Sequence, residues 1–382
     1  MGRYCWLVSA PYDLLFIIGS AVLLFVPHAV HLLWPSNIVV DLVIAAAIGG
    51  PHLFATYTLT FMEPNFRRRY PRYTAGALVL PLLVLATAIV NLDLLVTAFF
   101  LLAALHVIHQ AGYVADSYRD RRPEPAATHG LSRLIDYGLL LSSLFVLATF
   151  KFTGAPLRMF GMELSEHQFA TSGRRLLFPG FLQAEVLAWA LMAAFLLCAA
   201  AFAVKSLYEA TQGCLNLPKT LHMVLAAGLF FVTPALQNLD VAFQGLNTWH
   251  SVQYLAVVIF LNRWRQAQGL IGSPEVARFA TRGARLYGVG LALTAACGLV
   301  YLALRGIVLL LDVWPGDALQ QHYFAFYVSV LSALLIHYYF DHFLFLRIDG
   351  VITPRGEGPV PVAQVPAAGV RSAGAAARLP VA

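Results

Sequence analysis

The sequence predicts an all-α protein, a polytopic bundle of about ten transmembrane helices. Three observations predict it. Of 382 residues, 59% are hydrophobic and only 12% are charged, against about 25% charged in an ordinary soluble domain. Mean hydropathy is +0.72. The apolar residues fall in runs of about 20, the length that crosses hydrocarbon as a helix. This composition excludes a soluble globular protein, a disordered chain and a nucleic-acid-binding module, because only lipid solvates so much apolar surface. The four cysteines (Cys5, Cys198, Cys214 and Cys297) are scattered and form no CxxC. They provide neither a disulfide framework nor a thiolate metal site.

The spans are expected at 12–34, 38–62, 74–91, 94–116, 132–152, 184–205, 219–238, 242–262, 286–311 and 322–346. The first runs straight into the second without a small-residue cleavage site, so it reads as a retained helix and not as a signal peptide. An even number of spans puts both termini on one side. That side then holds 20 of the 25 Lys and Arg, and the other holds Lys151, Arg158, Arg174, Arg175 and Arg305. The bias places the N- and C-termini in the cytoplasm, and the expected location is a bacterial inner membrane. The formal charge of +6 is therefore topological. Residues 1–349 make the transmembrane domain, and 350–382, rich in Ala, Pro, Val and Gly, read as a disordered tail. Residues 153–183 form one long outer loop with amphipathic patches, suited to lying on the membrane or capping an opening. No internal repeat stands out to support a transporter of inverted halves.

The functional argument rests on twelve histidines. His52 lies 11 residues before Glu63. His106 and His109 lie 10 and 7 before Asp116, His250 lies 13 before Arg263, and His337 lies 10 before Arg347. At about 1.5 Å per residue, all five sit roughly 10–20 Å from the inner surface. Four helices thus bring imidazoles to one layer. His106 and His109 are i, i+3, and His337 and Asp341 are i, i+4, so each pair shares a helix face. His250 has Tyr254 at i+4 and Asn247 at i−3. His52 follows Gly49-Gly50-Pro51, where the missing proline donor and the glycines permit a local opening. For one histidine, the ordinary reading is an imidazole satisfied by a neighbouring helix. Five at one depth each need a partner, and a metal ion satisfies several together. The expected ligands are His52, His106, His109, His250 and His337, with Asp341 next. His342, five residues from His337, joins them only if its helix is distorted. Tyr254 is the candidate catalytic hydroxyl, and Asp136 the carboxylate that orients a ligand imidazole. His28, His31 and His322 read as interfacial, His222 as lying at the inner edge of the cluster, and His129 and His167 as solvated.

A metal inside hydrocarbon is well placed for a lipid-soluble substrate entering sideways or through a cytoplasmic-side slot, and oxygen concentrates in lipid. Imidazoles with a carboxylate and open positions suit oxygen chemistry on iron. The expectation is a non-heme iron oxygenase, hydroxylase or desaturase with one or two ions, acting on a long apolar molecule with O2. No dinucleotide fingerprint or ferredoxin cysteine pattern is present, so any reductant comes from a separate electron-donor protein. Copper and zinc are alternative metals.

Gly49-Gly50-Pro51-His52, then His109-Gln110-Ala111-Gly112, then Trp249-His250-Ser251 resemble the motifs of the bacterial Brp/Blh-type membrane carotene dioxygenases. That resemblance implies a single iron held by histidines, His52, His109 and His250 among them, and oxidative cleavage of a carotene. It covers only these short stretches. Tyr254 stands where that family places a further histidine, and His106 and the His337–Asp341 helix have no counterpart. The HxxxH and HxxHH boxes of membrane fatty-acid hydroxylases and desaturases are not found here. Two rival classes use the same residues. One is a b-type haem electron carrier with histidines from facing helices as axial pairs. The other is a metal or proton transporter with histidines as a relay, for which Asp116, Asp136, Asn238, Asp240 and Asp341 supply further polar positions.

Overall fold

A computed structural model describes residues 5–121, 129–155, 157–159, 162–163, 170–171, 174–175, 177, 179–236, 239–311 and 318–346. The expected tail, His167 and Asn238 lie outside these residues. Ten long helical segments carry the fold: α1 Ala10–Leu33, α2 Asn37–Thr58, α3 Pro71–Val90, α4 Leu92–Arg121, α5 Gly130–Thr153, α6 Glu185–Thr211, α7 Leu217–Ala235, α8 Leu239–Ala267, α9 Gly283–Leu311 and α10 Gln320–Phe345. Two short helices, Pro64–Arg69 and Pro274–Thr281, lie between them.

Nine of the ten, all but α8, are long and apolar enough to cross a membrane, and the chain is an integral membrane protein. The exception has a physical cause. α8 carries Asp240, Gln244, Asn247, His250, Gln253 and Asn262, and these lower its hydropathy. It is nonetheless a 29-residue helix and packs against α1, α2, α4 and α7 in the middle of the bundle. Polar side chains that face neighbours need no lipid compatibility. The outer helices show the reverse. Only 6% of the apolar window of α9 and 11% of that of α6 is buried, so leucine and valine cover their outer faces.

α2 is irregular where its sequence demands it. A π-helical turn occupies Ala45–Gly49 and ends at Gly50-Pro51. Pro51 has no N–H to offer the Ala47 carbonyl four residues earlier. The Tyr287 hydroxyl of α9 donates to that carbonyl instead, at 2.6 Å. π-turns of this kind recur at functional sites, and His52 stands one residue beyond the proline. Glycines also let α9 close on α2. A Cβ added at Gly290 would lie 2.6 Å from Pro51 Cα.

The ends of α4 and α6 and the starts of α5 and α7 are tied by charge. The buried Asp136 carboxylate of α5 meets Arg119 of α4 at 2.5 Å and Lys219 of α7 at 3.3 Å, and it also contacts Lys205 of α6. Asp116 pairs with Arg119 and Arg133 and accepts from Tyr137. The described parts of the 153–183 loop form two short antiparallel strand pairs. They touch α4 and α8, and the Leu177 N–H donates to Thr97 at 2.8 Å. These described parts therefore lie over the start of α4 and against α8.

Gly290→Val should force α9 off the Pro51 backbone, which cannot retreat. The expected cost is about 1–3 kcal/mol, read as a lower Tm in detergent, with Gly298→Val, which meets no neighbour within 4 Å, as the neutral control.

Candidate metal centre

The site lies where α2, α4, α8 and α10 meet. Each helix contributes what its register puts inward: His52 from α2, His106 from α4, His250 from α8, and His337 with Asp341 from α10. All five side chains are buried. The four imidazoles pack edge to face, with centroids 4.5 Å apart for His52 and His337 and 4.9 Å for His106 and His250. Two sets of potential ligands overlap at His337. One is His52, His250 and His337; the other is His106, His337 and Asp341.

Counting hydrogens shows why these atoms are poised. Tyr254 and Thr56 both donate to Asp341 Oδ1, at 2.5 and 2.8 Å. Thr56 has a single hydroxyl hydrogen, so it accepts from His337 Nδ1 at 2.5 Å. His337 therefore carries its proton on Nδ1, and Nε2 is a lone pair. That lone pair faces Asp341 Oδ2 at 3.2 Å, and His106 Nε2 stands 3.5 Å from the same oxygen. None of these three atoms has a hydrogen-bond partner. His52 Nδ1 donates to the Gly49 carbonyl at 2.8 Å, which leaves its Nε2 as a lone pair, 3.2 Å from His250 Nε2. Two atoms each about 2.1 Å from one ion stand roughly 3.0–3.4 Å apart for angles between square and tetrahedral. The His52–His250 and His337–Asp341 contacts, both at 3.2 Å, fall in that range, and the His106–Asp341 contact at 3.5 Å lies next to it.

An outer layer of polar contacts holds the ligands. Ser251 lies 3.0 Å from His52 Nδ1 and donates to Asn247 Oδ1 at 3.4 Å. Asn247 donates to Gln244 at 3.2 Å, and Gln244 donates to Asp41 at 2.7 Å. This chain follows one face of α8 from the bundle centre to the beginning of α2. Gln110 of α4 bonds Gln253 and the His250 carbonyl, both at 3.0 Å. The Tyr338 ring stacks on His106 at 4.1 Å.

A cavity of about 410 Å³ adjoins the centre. Phe54, Phe99, Phe100 and Phe243 give it an apolar wall, and Gly49, Asn247 and Tyr338 form its floor beside the histidines. It lies in the half of the bundle that holds the starts of α2, α4 and α8.

Of the residues predicted for the site, His52, His106, His250, His337, Asp341 and Tyr254 come together. Three do not. His109 is exposed on the outer side of α4, because three residues turn it about 60° from His106. His342 is half-buried against the Tyr73 hydroxyl, at 2.8 Å; α10 is not distorted enough to bring it round. Asp136 belongs to the charge knot and orients no imidazole. His222 donates from Nε2 to the Ala111 carbonyl at 3.0 Å, His322 bonds Tyr301 at 2.7 Å, and His28 bonds the Leu24 carbonyl at 3.2 Å. Thr56 and Ser251 were not anticipated. Thr56 stands one turn beyond His52, and Ser251 directly follows His250, so spacing alone marks both.

Thr56→Val keeps the shape and removes the hydroxyl that fixes His337 and Asp341. Any metal affinity of the purified protein should fall about 10- to 100-fold, measured by chelator competition. Asp136→Asn should leave the metal content as it is in the parent protein. It strips the countercharge from Arg119, Lys205 and Lys219 and should cost about 3–5 kcal/mol of stability, seen as a lower Tm in detergent.

Compared with protein-family models, with curated proteins and with solved structures, the chain matches none, and its site is understood from its own residues.

Proposed function

We propose that the chain is a membrane-embedded non-heme iron oxygenase acting on a lipid-soluble substrate. One observation carries the reading. His106 Nε2, His337 Nε2 and Asp341 Oδ2 converge in the buried interior without hydrogen bonds, and acceptor atoms held this close repel unless a proton or a metal cation stands between them. Two histidines and a carboxylate with open positions are the donor set of iron oxygenases. His52 and His250 supply further nitrogen ligands for that ion or a second one. Bound iron would activate O2 for insertion into an unactivated substrate. The chain's own residues do the rest. Thr56 and Gly49 fix the ligand tautomers, Tyr254 holds a hydroxyl proton against Asp341 Oδ1, and the buried rings exclude water. Tyr338 separates the cavity from His106, so its ring would have to turn for substrate to reach the centre.

The apolar cavity supports a long hydrocarbon substrate and fits the resemblance to membrane carotene dioxygenases. A reaction that consumes reducing equivalents would draw them from a separate electron-donor protein. In this reading α8 is the tenth span, both termini are cytoplasmic, and the location is a bacterial inner membrane. The haem alternative is less well supported, because imidazoles packed ring against ring leave no slab for a macrocycle between them.

Purified protein should hold one or two iron ions per chain without a Soret band, and His337→Ala should lose the iron while remaining folded by circular dichroism. A Soret band, or a folded sample that takes up no iron on reconstitution, would overturn the proposal.

A further inference from the structure

The cavity beside the metal centre is open on one side, and its exposed lining marks where. Among the described residues that line it, the exposed ones are Leu42 and Ala46 of α2 and Leu291, Ala295 and Gly298 of α9. The lining residues of α4, α8 and α10 are buried or half-buried. The mouth therefore lies between α2 and α9. Close approach of these helices ends where it begins. At Gly50 a Cβ would run into the Thr294 side chain, and at Gly290 it would meet the Pro51 backbone. About two turns further along α9, a Cβ at Gly298 would meet nothing within 4 Å.

Depth decides what such a mouth admits. Gly298 stands near the middle of α9, a helix of 29 residues, and Ala46 near the middle of α2, of 22 residues. An opening there faces the middle of the hydrocarbon layer, where the apolar ends of lipid chains lie and a polar head is costly. We propose that the cavity is filled sideways from the bilayer, apolar end first, by a single hydrocarbon chain that passes between Ala46 and Gly298. A polar head on that chain stays outside. The inserted end reaches Phe243 and Tyr338, and the Tyr338 ring covers His106. Resting on the oxygenase reading, attack then falls within the inserted segment and not beside the head.

Photolabelling tests this without iron. Iron-free, full-length protein in nanodiscs receives hexadecanol carrying a diazirine next to its methyl end or, in a second sample, next to its hydroxyl. After irradiation the labelled residues are mapped by mass spectrometry. The methyl-end probe should label Phe243 and Tyr338, and excess unmodified hexadecanol should remove that label while sparing the label on lipid-facing Leu196 and Leu197 of α6. The hydroxyl-end probe should label the cavity about tenfold less. Gly298→Trp narrows the mouth and should cut cavity labelling about tenfold. Ala46→Trp, on the opposite side, serves if that variant does not fold. Gly288→Trp, exposed on the same helix with no neighbour within 4 Å and outside the cavity lining, should label as the parent does. No saturable label in the parent cavity, equal labelling by the two probes, or undiminished labelling in the folded mouth variants would overturn the inference. The His337→Ala protein is run in parallel. If it keeps the labelling pattern, sideways entry stands whatever the outcome for iron, and a loss of iron uptake alone leaves the inference intact.

Discussion

A neutral imidazole has one N–H and one lone pair, and hydrocarbon satisfies neither. Every buried histidine in this bundle must therefore find a partner, and the partners sort the histidines into two kinds. Buried His222 and half-buried His322 use a backbone carbonyl and a tyrosine hydroxyl from the bundle, and His28 Nδ1 uses the Leu24 carbonyl while its Nε2 has no hydrogen bond among the described residues. His52 and His337 spend their Nδ1 hydrogens in the same way, on Gly49 and Thr56, but their second nitrogens turn inward toward other acceptors. Thr56 is the pivot of this arrangement. With one hydrogen, it cannot donate to His337 while it donates to Asp341, so a single hydroxyl decides that His337 presents a lone pair. Leaving such atoms unpaired in a low-dielectric interior is costly, and a bound cation would relieve that cost.

The surrounding bundle is arranged to keep these atoms in place. Near the centre, α8 holds its position through bonds to three neighbours: Gln253 to Gln110 and the Ile17 carbonyl, Asn262 to Thr58, and Gln244 to Asp41. Where α4 and α6 end and α5 and α7 begin, one carboxylate shared by cations from three helices fixes α4 to α7. Contact through Gly290 brings α9 against Pro51 and so braces the π-turn that presents His52. These are different devices for one purpose. Packing between lipid-facing helices has little hydrophobic drive, so charge, hydrogen bonds and close backbone approach must supply the specificity that a soluble core obtains from burial.

Most of this was legible in the sequence, and the failures share a cause. Apolar runs located the helices, and counting residues from the membrane edge put His52, His106, His250 and His337 in one layer. Depth is one coordinate only. It carries no information about which way a helix is turned, and His109 shows the difference: it shares the layer but faces outward. Asp136 was misjudged because the sequence does not reveal that Lys205 and Lys219, 69 and 83 residues away, converge on it. Thr56 escaped notice for the opposite reason. Its spacing from His52 was plain, but a threonine in an apolar helix ordinarily bonds its own backbone, and only the tertiary fold shows it serving His337 and Asp341 instead.

The low hydropathy of α8 follows from the same constraint. A helix counted by its composition is judged as though lipid surrounded it. α8 meets protein on most of its circumference, and its polar residues are the ones that build the site: His250 in the layer, Ser251 and Asn247 behind His52, and Gln244 in the cavity wall beside Asp41. Making α8 apolar enough to pass as an ordinary span would remove these groups one by one. A membrane bundle that buries a polar cluster carries its polar residues on helices whose composition approaches that of a soluble one, and such a helix is where a buried polar site is best sought.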